Sequence, residues 1–498
     1  MLYHTFIYLL LLLIMFYILL IVLCIVWFIQ QIWFKKRSEE PPILGGWLPI
    51  IGHAYMALGD SRHMYKCIDK ISKECLVKGG IVTIYAGPRK IYGVTDPEDS
   101  MTIVNSTLQK HYFYDFAKPL LGNGLLTADV PTWKRNRKLI NPAFNQQVLD
   151  GFIETFNKQA KSLVDVFAHK QGMPFDHEIL LRENNLETIC FTALGVNPTN
   201  YNDLCNLYLP RLMKRIQGIN DRMQKFWLHS DIVYNLTQEK RAQDVEWRCV
   251  YSPTIFIYLN INTHTLYTFS EKLKKAFMDL ILDLANETGC FSDDQVREET
   301  DTIIAGGHET IAGVMTLVFT ILGSYNNVQN KAYDELIQIL GNSENYIDKN
   351  DLSKLVYIEA ILNEVMRLYP ILPIMPRVID KDIKLKNYTM KKDSDCFISI
   401  HGLHRHSMWG LDADQFRPER WLDKETLPDP KYCGTFGLGR RSCIGKTYAM
   451  MSMKIILAHV LRQYIISSDI DKMVLRLNVM PRPEAGHFIT LTLRNKTI

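Results

Sequence analysis

Several things are scarce in this chain. Its net charge is only +4 over 498 residues, too little for the basic footprint that nucleic-acid binding requires. Its ten cysteines fall without regular spacing, which argues against a disulfide framework and for a reducing compartment. No fixed period recurs, and nothing after residue 60 has a linker's composition, so a solenoid or a string of small domains is disfavoured. What remains, 47% apolar and 22% charged, suits one large catalytic unit with an extensive core.

Charge is missing altogether from Phe6 to Ile29. As a helix that run is about 36 Å long, enough to cross a hydrocarbon layer. No small-residue cleavage site follows, so residues 1–34 are expected to stay as a membrane anchor. Lys35, Lys36 and Arg37 lie just beyond it, and the positive-inside bias puts the body of the chain in the cytoplasm. Residues 35–52, with Pro41, Pro42, Gly45, Gly46 and Pro49, form a stiff non-helical neck, leaving 53–498 as the catalytic domain.

Ile81–Tyr85 and Lys90–Val94 are spaced as a hairpin, and Asp96-Pro97-Glu98 begins a helix. Further on, Trp133 and Arg137 lie one helical turn apart, so an indole and a guanidinium could hold a carboxylate together. Glu187–Gly195 is helical with Ile189, Cys190, Ala193 and Leu194 inward, and carries no chemistry. Val250–Ser270 contains no charge and alternates like a strand between charged helical segments. Either it is a loop dipping into a membrane surface or it is translated intron sequence; the second is preferred.

Ser292 to Gln295 make a capping-box start, and the apolar pattern runs to Leu322, giving a helix of about 45 Å. Gly306-Gly307-His308-Glu309-Thr310 stand in its middle. Each glycine costs about 1 kcal/mol there, so close approach of a flat ligand or a local opening of the ladder should require them. An acid and an alcohol side by side are the parts of a proton relay. Glu364 and Arg367 are placed one turn apart ahead of Pro370, and Phe416-Arg417-Pro418-Glu419-Arg420-Trp421 follows.

The most informative stretch is Phe436-Gly437-Leu438-Gly439-Arg440-Arg441-Ser442-Cys443-Ile444-Gly445. It offers one thiol between glycines, preceded by a basic pair and followed by a helix start whose N–H groups favour a thiolate. Phe436, Gly439, Arg441, Cys443 and Gly445 resemble the haem-ligand loop of the cytochrome P-450 superfamily, Phe-x-x-Gly-x-Arg-x-Cys-x-Gly.

That resemblance covers nearly the whole chain outside Val250–Ser270. It implies a mainly α fold with small β-sheets, preceded by the single N-terminal transmembrane helix. Cys443 would be the axial ligand of haem iron. Trp133, Arg137 and, beyond Pro376, Arg377 would meet haem propionates. Glu309 and Thr310 would supply protons during oxygen activation, while Glu364, Arg367 and Arg420 would form a structural ion cluster fixing the cysteine loop. His308 before the acid resembles the family-4 clan. Gly306 stands where many members of that clan carry a glutamate bonded to the haem, which implies non-covalent haem b (iron protoporphyrin IX). The implied reaction is monooxygenation of a small hydrophobic substrate, such as a fatty acid, hormone or foreign compound, at the endoplasmic reticulum membrane. Electrons would come from NADPH through NADPH-cytochrome P-450 reductase, with cytochrome b5 a second candidate partner and Arg440, Lys446 and Lys454 the contact residues.

Three other readings are weaker. A haem-thiolate isomerase would not need Glu309 and Thr310. A catalytically impaired product would follow if Val250–Ser270 disrupts the fold. A zinc site of His401, His404, His406, Cys433 and Cys443 lacks the usual ligand spacing.

Overall fold

The computed structural model describes residues 2–35, 40–195, 209–241, 276–341 and 345–494; the charge-free run 250–270 lies outside them. Helices dominate, as the periodicity predicts. The N-terminal helix Leu2–Lys35 contains a span, Leu10–Phe28, of mean hydropathy 3.2 with none of its surface buried. Its length and apolarity are those of a membrane-crossing helix.

Lys35 still belongs to that helix, while the described remainder of the neck, residues 40–52, is non-helical and does not hang free. Leu44 donates to Thr83 O and Thr83 N–H to Pro42 O, so the chain runs along the edge of the first hairpin. Gly52 has φ +62° and a Cβ there would lie 2.3 Å from Tyr85 O, so only glycine fits that contact. Both strands of the hairpin form, Ile81–Ala86 against Arg89–Val94 with Ile81 opposite Val94. The second strand then pairs in parallel with Asp395–Ser399, which pairs antiparallel with Ile374–Val378. One four-stranded sheet thus joins segments about 300 residues apart in the sequence, 81–94 and 374–399. Smaller two-stranded ribbons pair Tyr464–Ser467 with Thr490–Leu493 and Val474–Asn478 with Met480–Ala485.

The long helix is Asp293–Leu322, and the capping box at Ser292 and Gln295 is present in both directions. From Ile311 onward every residue to Leu322 is buried, so this half is wrapped on all sides by protein. Its two buried hydroxyls bond back to their own turns, Thr316 to Ala312 O and Thr320 to Thr316 O, both at 2.8 Å. Around it pack His177–Ile189, Val356–Leu368 and Lys446–Gln463, sharing one apolar cluster. Ile189, Cys190, Ala193 and Leu194 join that cluster, the last three in a π-helical turn capped by Gly195 at φ +69°.

Candidate active site

The cysteine loop is held from behind. Glu364 is fully buried and accepts Arg367 Nε at 2.8 Å, Arg367 Nη2 at 2.9 Å, Arg420 Nε at 3.1 Å, Trp421 Nε1 at 2.9 Å and Arg417 N–H at 3.0 Å. Burial alone would raise its carboxyl, but Arg367 and its other partners outweigh that and hold it below the usual range. Arg367 in turn donates to the carbonyls of His404, Ala413 and Gln415. His404 completes the link: Nδ1 donates to Arg367 O at 3.0 Å and Nε2 accepts from Gly434 N–H at 3.1 Å, just ahead of the loop. Burial pushes the His404 imidazole down to about 3, so it stays neutral and can accept. The structure brings Glu364, Arg367 and Arg420 together, and adds His404, for which the sequence held no sign of this bridging role.

Among the described residues, His401, His404, His406, Cys433 and Cys443 do not come together as a set of metal ligands. His401 bonds Asp69, His404 bridges Arg367 and Gly434, and His406 accepts from Met408 N–H. Cys433 lies against Thr435 Oγ1.

Within the loop Gly437 and Gly439 have φ +81° and +67°, and a Cβ on Gly439 would lie 2.8 Å from Val104. Gly445 keeps an ordinary φ of −88°, so no bend demands glycine there. Cys443 N–H donates to Phe436 O at 2.8 Å, closing the turn, and the Cys443 residue is exposed. The surrounding loop pushes its thiol up, while the Gly445 N–H and the Arg137 cation pull it back toward thiolate. The Lys446 ammonium stands 5.9 Å from the centre of the Phe436 ring.

Trp133 and Arg137 do share the helix Val130–Ile140, but they take separate tasks. Arg137 Nη1 donates to Ser442 O at 2.9 Å, steadying the residue before the thiol. Trp133 lies beneath Arg441, whose guanidinium is 4.6 Å from the ring centre. Arg377 stands close enough to depress Arg441, and Lys110 joins them from the strand-like bridge Lys110–Arg377. Desolvation first, and then the Arg377 cation, push Arg441 down to about 10; Lys110 falls well below its usual range for the same reasons. Arg441 Nε is buried with no hydrogen-bond partner. A cluster of three cations with an unfilled donor calls for anions, and the two propionates of a haem supply them. The residues present therefore fit haem. Lys110 was missed because it belongs to no motif and reaches Arg377 only through the fold.

The long helix differs from expectation at its centre. It is α-helical throughout, without a break at the glycines. A Cβ on Gly307 would lie 2.6 Å from Ile189 Cδ1, so packing favours glycine there; Gly306 faces open space. Asn185 Nδ2 donates to Gly307 O at 2.9 Å and the Thr310 hydroxyl to Gly306 O at 2.6 Å. Thr310 is half-buried, whereas Glu309 points into the protein. There it meets Arg482 Nη2, and Arg482 Nη1 continues to Glu178 at 3.0 Å, which Arg182 also holds. His308 donates through Nε2 to Arg182 O at 3.1 Å, and burial lowers it to about 4. The acid and the alcohol are neighbours in sequence on different sides of the helix.

Known proteins resemble this chain along almost its whole length. The family model for cytochrome P-450 matches residues 41–486. Cytochrome P-450 4V2 of Mus musculus is 28% identical over 466 residues, covering 90% of this chain and 89% of that protein. Cytochrome P-450 4g15 of Drosophila melanogaster is 24% identical over 527 residues, covering 90% and 91%. A crystal structure of another cytochrome P-450 superposes with a TM-score of 0.78 at 18% identity, covering 92% of this chain and all of that one. With the family model matching nearly the whole chain, this chain belongs to the cytochrome P-450 family, as a family-4-like monooxygenase.

Proposed function

We propose that the protein is a membrane-anchored haem-thiolate monooxygenase of hydrophobic substrates at the endoplasmic reticulum, with residues 1–34 as anchor and the rest facing the cytoplasm. The observation that carries the reading is the exposed Cys443 on a braced loop, near a cluster of three cations in which the buried Arg441 Nε has no hydrogen-bond partner among the described residues. Cys443 would hold the iron of non-covalent haem b, and Lys110, Arg377 and Arg441 its propionates, with Trp133 supporting Arg441 and Arg137 the loop. Phe436 and Gly439 shape the turn that presents the sulfur. When bound, the haem supplies oxygen activation, one oxygen atom entering substrate and the other leaving as water.

The chain's own part is positional and protonic. Thr310 holds a proton on a half-exposed hydroxyl whose ground-state acceptor is Gly306 O. Glu309 reaches that side only by leaving Arg482, so it acts as a reserve of negative charge behind the helix rather than as a direct donor. NADPH electrons would arrive through NADPH-cytochrome P-450 reductase or cytochrome b5, whose acidic surfaces suit exposed Arg440 and Lys446. Lys454 is withdrawn from that role, because it is buried against Leu352 O and Glu359.

The test is turnover of the full chain with reductase, oxygen and a panel of fatty acids, terpenoids and foreign compounds. NADPH-dependent incorporation of labelled oxygen supports the reading. Conversion of a hydroperoxide without NADPH, with no monooxygenation of any substrate, contradicts it in favour of an isomerase.

A further inference from the structure

Two parts of the chain that are distant in sequence are locked together beside the long helix. Phe175 N–H donates to Ile489 O at 3.0 Å, Ile489 N–H to Phe175 O at 3.2 Å and Gly172 N–H to Leu491 O at 3.0 Å. The turn before this pairing needs Gly486, which has φ +75° and whose Cβ would lie 2.0 Å from Lys472 O. His487 is thereby set against Asp176, the N-cap of the helix His177–Ile189, and against Glu178 in its first turn. One ligand atom from each of the three lies within 4.8 Å of the others.

Two carboxylates alone would be an ordinary surface feature, but the imidazole between them is not. His487 is only 6% exposed, and neither Nδ1 nor Nε2 makes a hydrogen bond. Nε2 stands 3.2 Å from Asp176 Oδ1, out of line for one. A buried imidazole with both nitrogens idle is unfavourable, and a cation shared with the carboxylate would answer it. Two atoms each about 2.1 Å from one tetrahedral ion stand about 3.4 Å apart, close to the spacing found here. The fully buried His177 adds an unfilled acceptor nearby: Nε2 donates to Thr316 O at 3.0 Å, Nδ1 has no partner, and its ring centre is 6.3 Å from that of His487.

Each carboxylate keeps an oxygen for an ion. Asp176 uses Oδ1 to accept Glu178 N–H at 2.9 Å, and Glu178 uses Oε1 for Arg182 and Arg482; among the described residues Asp176 Oδ2 and Glu178 Oε2 have no partner. With Glu309 on Arg482, three carboxylates face two guanidiniums, so the neighbourhood keeps one net negative charge. The Asp176 side chain is 31% exposed, which gives an ion a way in from solvent.

We propose that Asp176, Glu178 and His487 form a binding site for a divalent first-row transition ion, zinc foremost, with water completing the coordination. One imidazole with two carboxylates suits such an ion better than calcium or magnesium, which take oxygen ligands. The inference does not rest on the monooxygenase reading, because none of the three residues belongs to the haem site.

The experiment uses the full haem-loaded chain, freed of loose metal with a chelator and then brought to dialysis equilibrium with zinc, nickel or calcium chloride. Bound metal is read by plasma mass spectrometry relative to haem iron. Wild-type protein should hold one zinc that His487→Ala holds at least about tenfold more weakly, a loss that even an outer-shell partner of a metal can bring. Asp176→Asn should weaken it similarly, whereas replacement of the exposed His169 by alanine should not. Zinc should raise the thermal midpoint of the wild type and leave that of His487→Ala where it is. Calcium at equal concentration should not displace zinc. Zinc binding by the wild type no tighter than by His487→Ala, or displacement of zinc by calcium, would overturn the proposal. Should His487→Ala lose the carbon-monoxide band at the thiolate position, His487→Phe, which keeps a ring without its nitrogens, decides in its place, and zinc held by it as tightly as by the wild type is fatal.

Discussion

Replacing Glu364 by glutamine tests whether the ion cluster is what makes the cysteine loop competent. The substitution keeps the volume and one oxygen acceptor but removes the charge that neutralises Arg367 and Arg420, both buried. Two guanidiniums would then share a site with no anion closer than Asp412, which reaches Arg420 at 3.1 Å and Arg367 not at all. Breaking a buried cluster of this kind costs about 3–5 kcal/mol. For a domain of this size about 1 kcal/mol corresponds to roughly 1 °C, so the thermal midpoint should fall by about 3–5 °C. The pH dependence has a definite sign. The folded carboxyl is held below its unfolded value, so its contribution is full above the unfolded value near pH 4.3 and disappears as pH falls through the folded one. Glu364→Gln should therefore lose stability at pH 7 while its acid limb flattens. The assay is thermal unfolding followed by far-UV dichroism from neutral to acid pH, with haem retention read from the Soret absorbance. A variant that keeps wild-type haem content and its midpoint within about 1 °C would refute the reasoning.

The contact between Glu309 and Arg482 makes a second case. Each single replacement, Glu309→Gln or Arg482→Gln, strands a buried charge, whereas the double replacement strands neither, so a double-mutant cycle in urea should show coupling of about 2 kcal/mol or more; additive losses would deny the pair. A third concerns Glu299, which is fully buried against Asn136 Nδ2 and Leu125 N–H and whose carboxyl desolvation pushes up to about 7. The unfolded chain releases that proton near pH 4.3, so stability declines as pH rises from there to about 7, by on the order of 3 kcal/mol. Glu299→Gln should remove that decline, and chemical unfolding at several pH values will show whether it does.

Legibility followed sequence distance and residue type. The cysteine loop could be read because its chemistry needs particular residues at fixed spacing, and the capping box, the hairpin and the Asp96 start because their signals lie within a few residues. The ion cluster was reached by resemblance, since Glu364 and Arg420 become neighbours only through the fold. Lys110, His404 and Arg482 were invisible for a related reason: each acts on a partner far away in the chain, and a lone lysine, histidine or arginine carries no pattern. Lys454 was misjudged because a lysine on a helix is ordinarily solvated, and nothing local reveals that Glu359 and Leu352 O enclose its ammonium. The double glycine illustrates a right question with a partly different answer. Gly307 lies against Ile189 of a packed helix while Gly306 faces open space, and the side chains of Asn185 and Thr310 satisfy backbone carbonyls without breaking the ladder.

The most direct measurement is the reduced carbon-monoxide difference spectrum of the full chain beside that of Cys443→Ser. Wild-type protein should give a Soret band at the thiolate position, and the variant should lose that band together with NADPH-dependent oxidation. A Cys443→Ser protein with the wild-type spectrum and undiminished turnover would contradict the account.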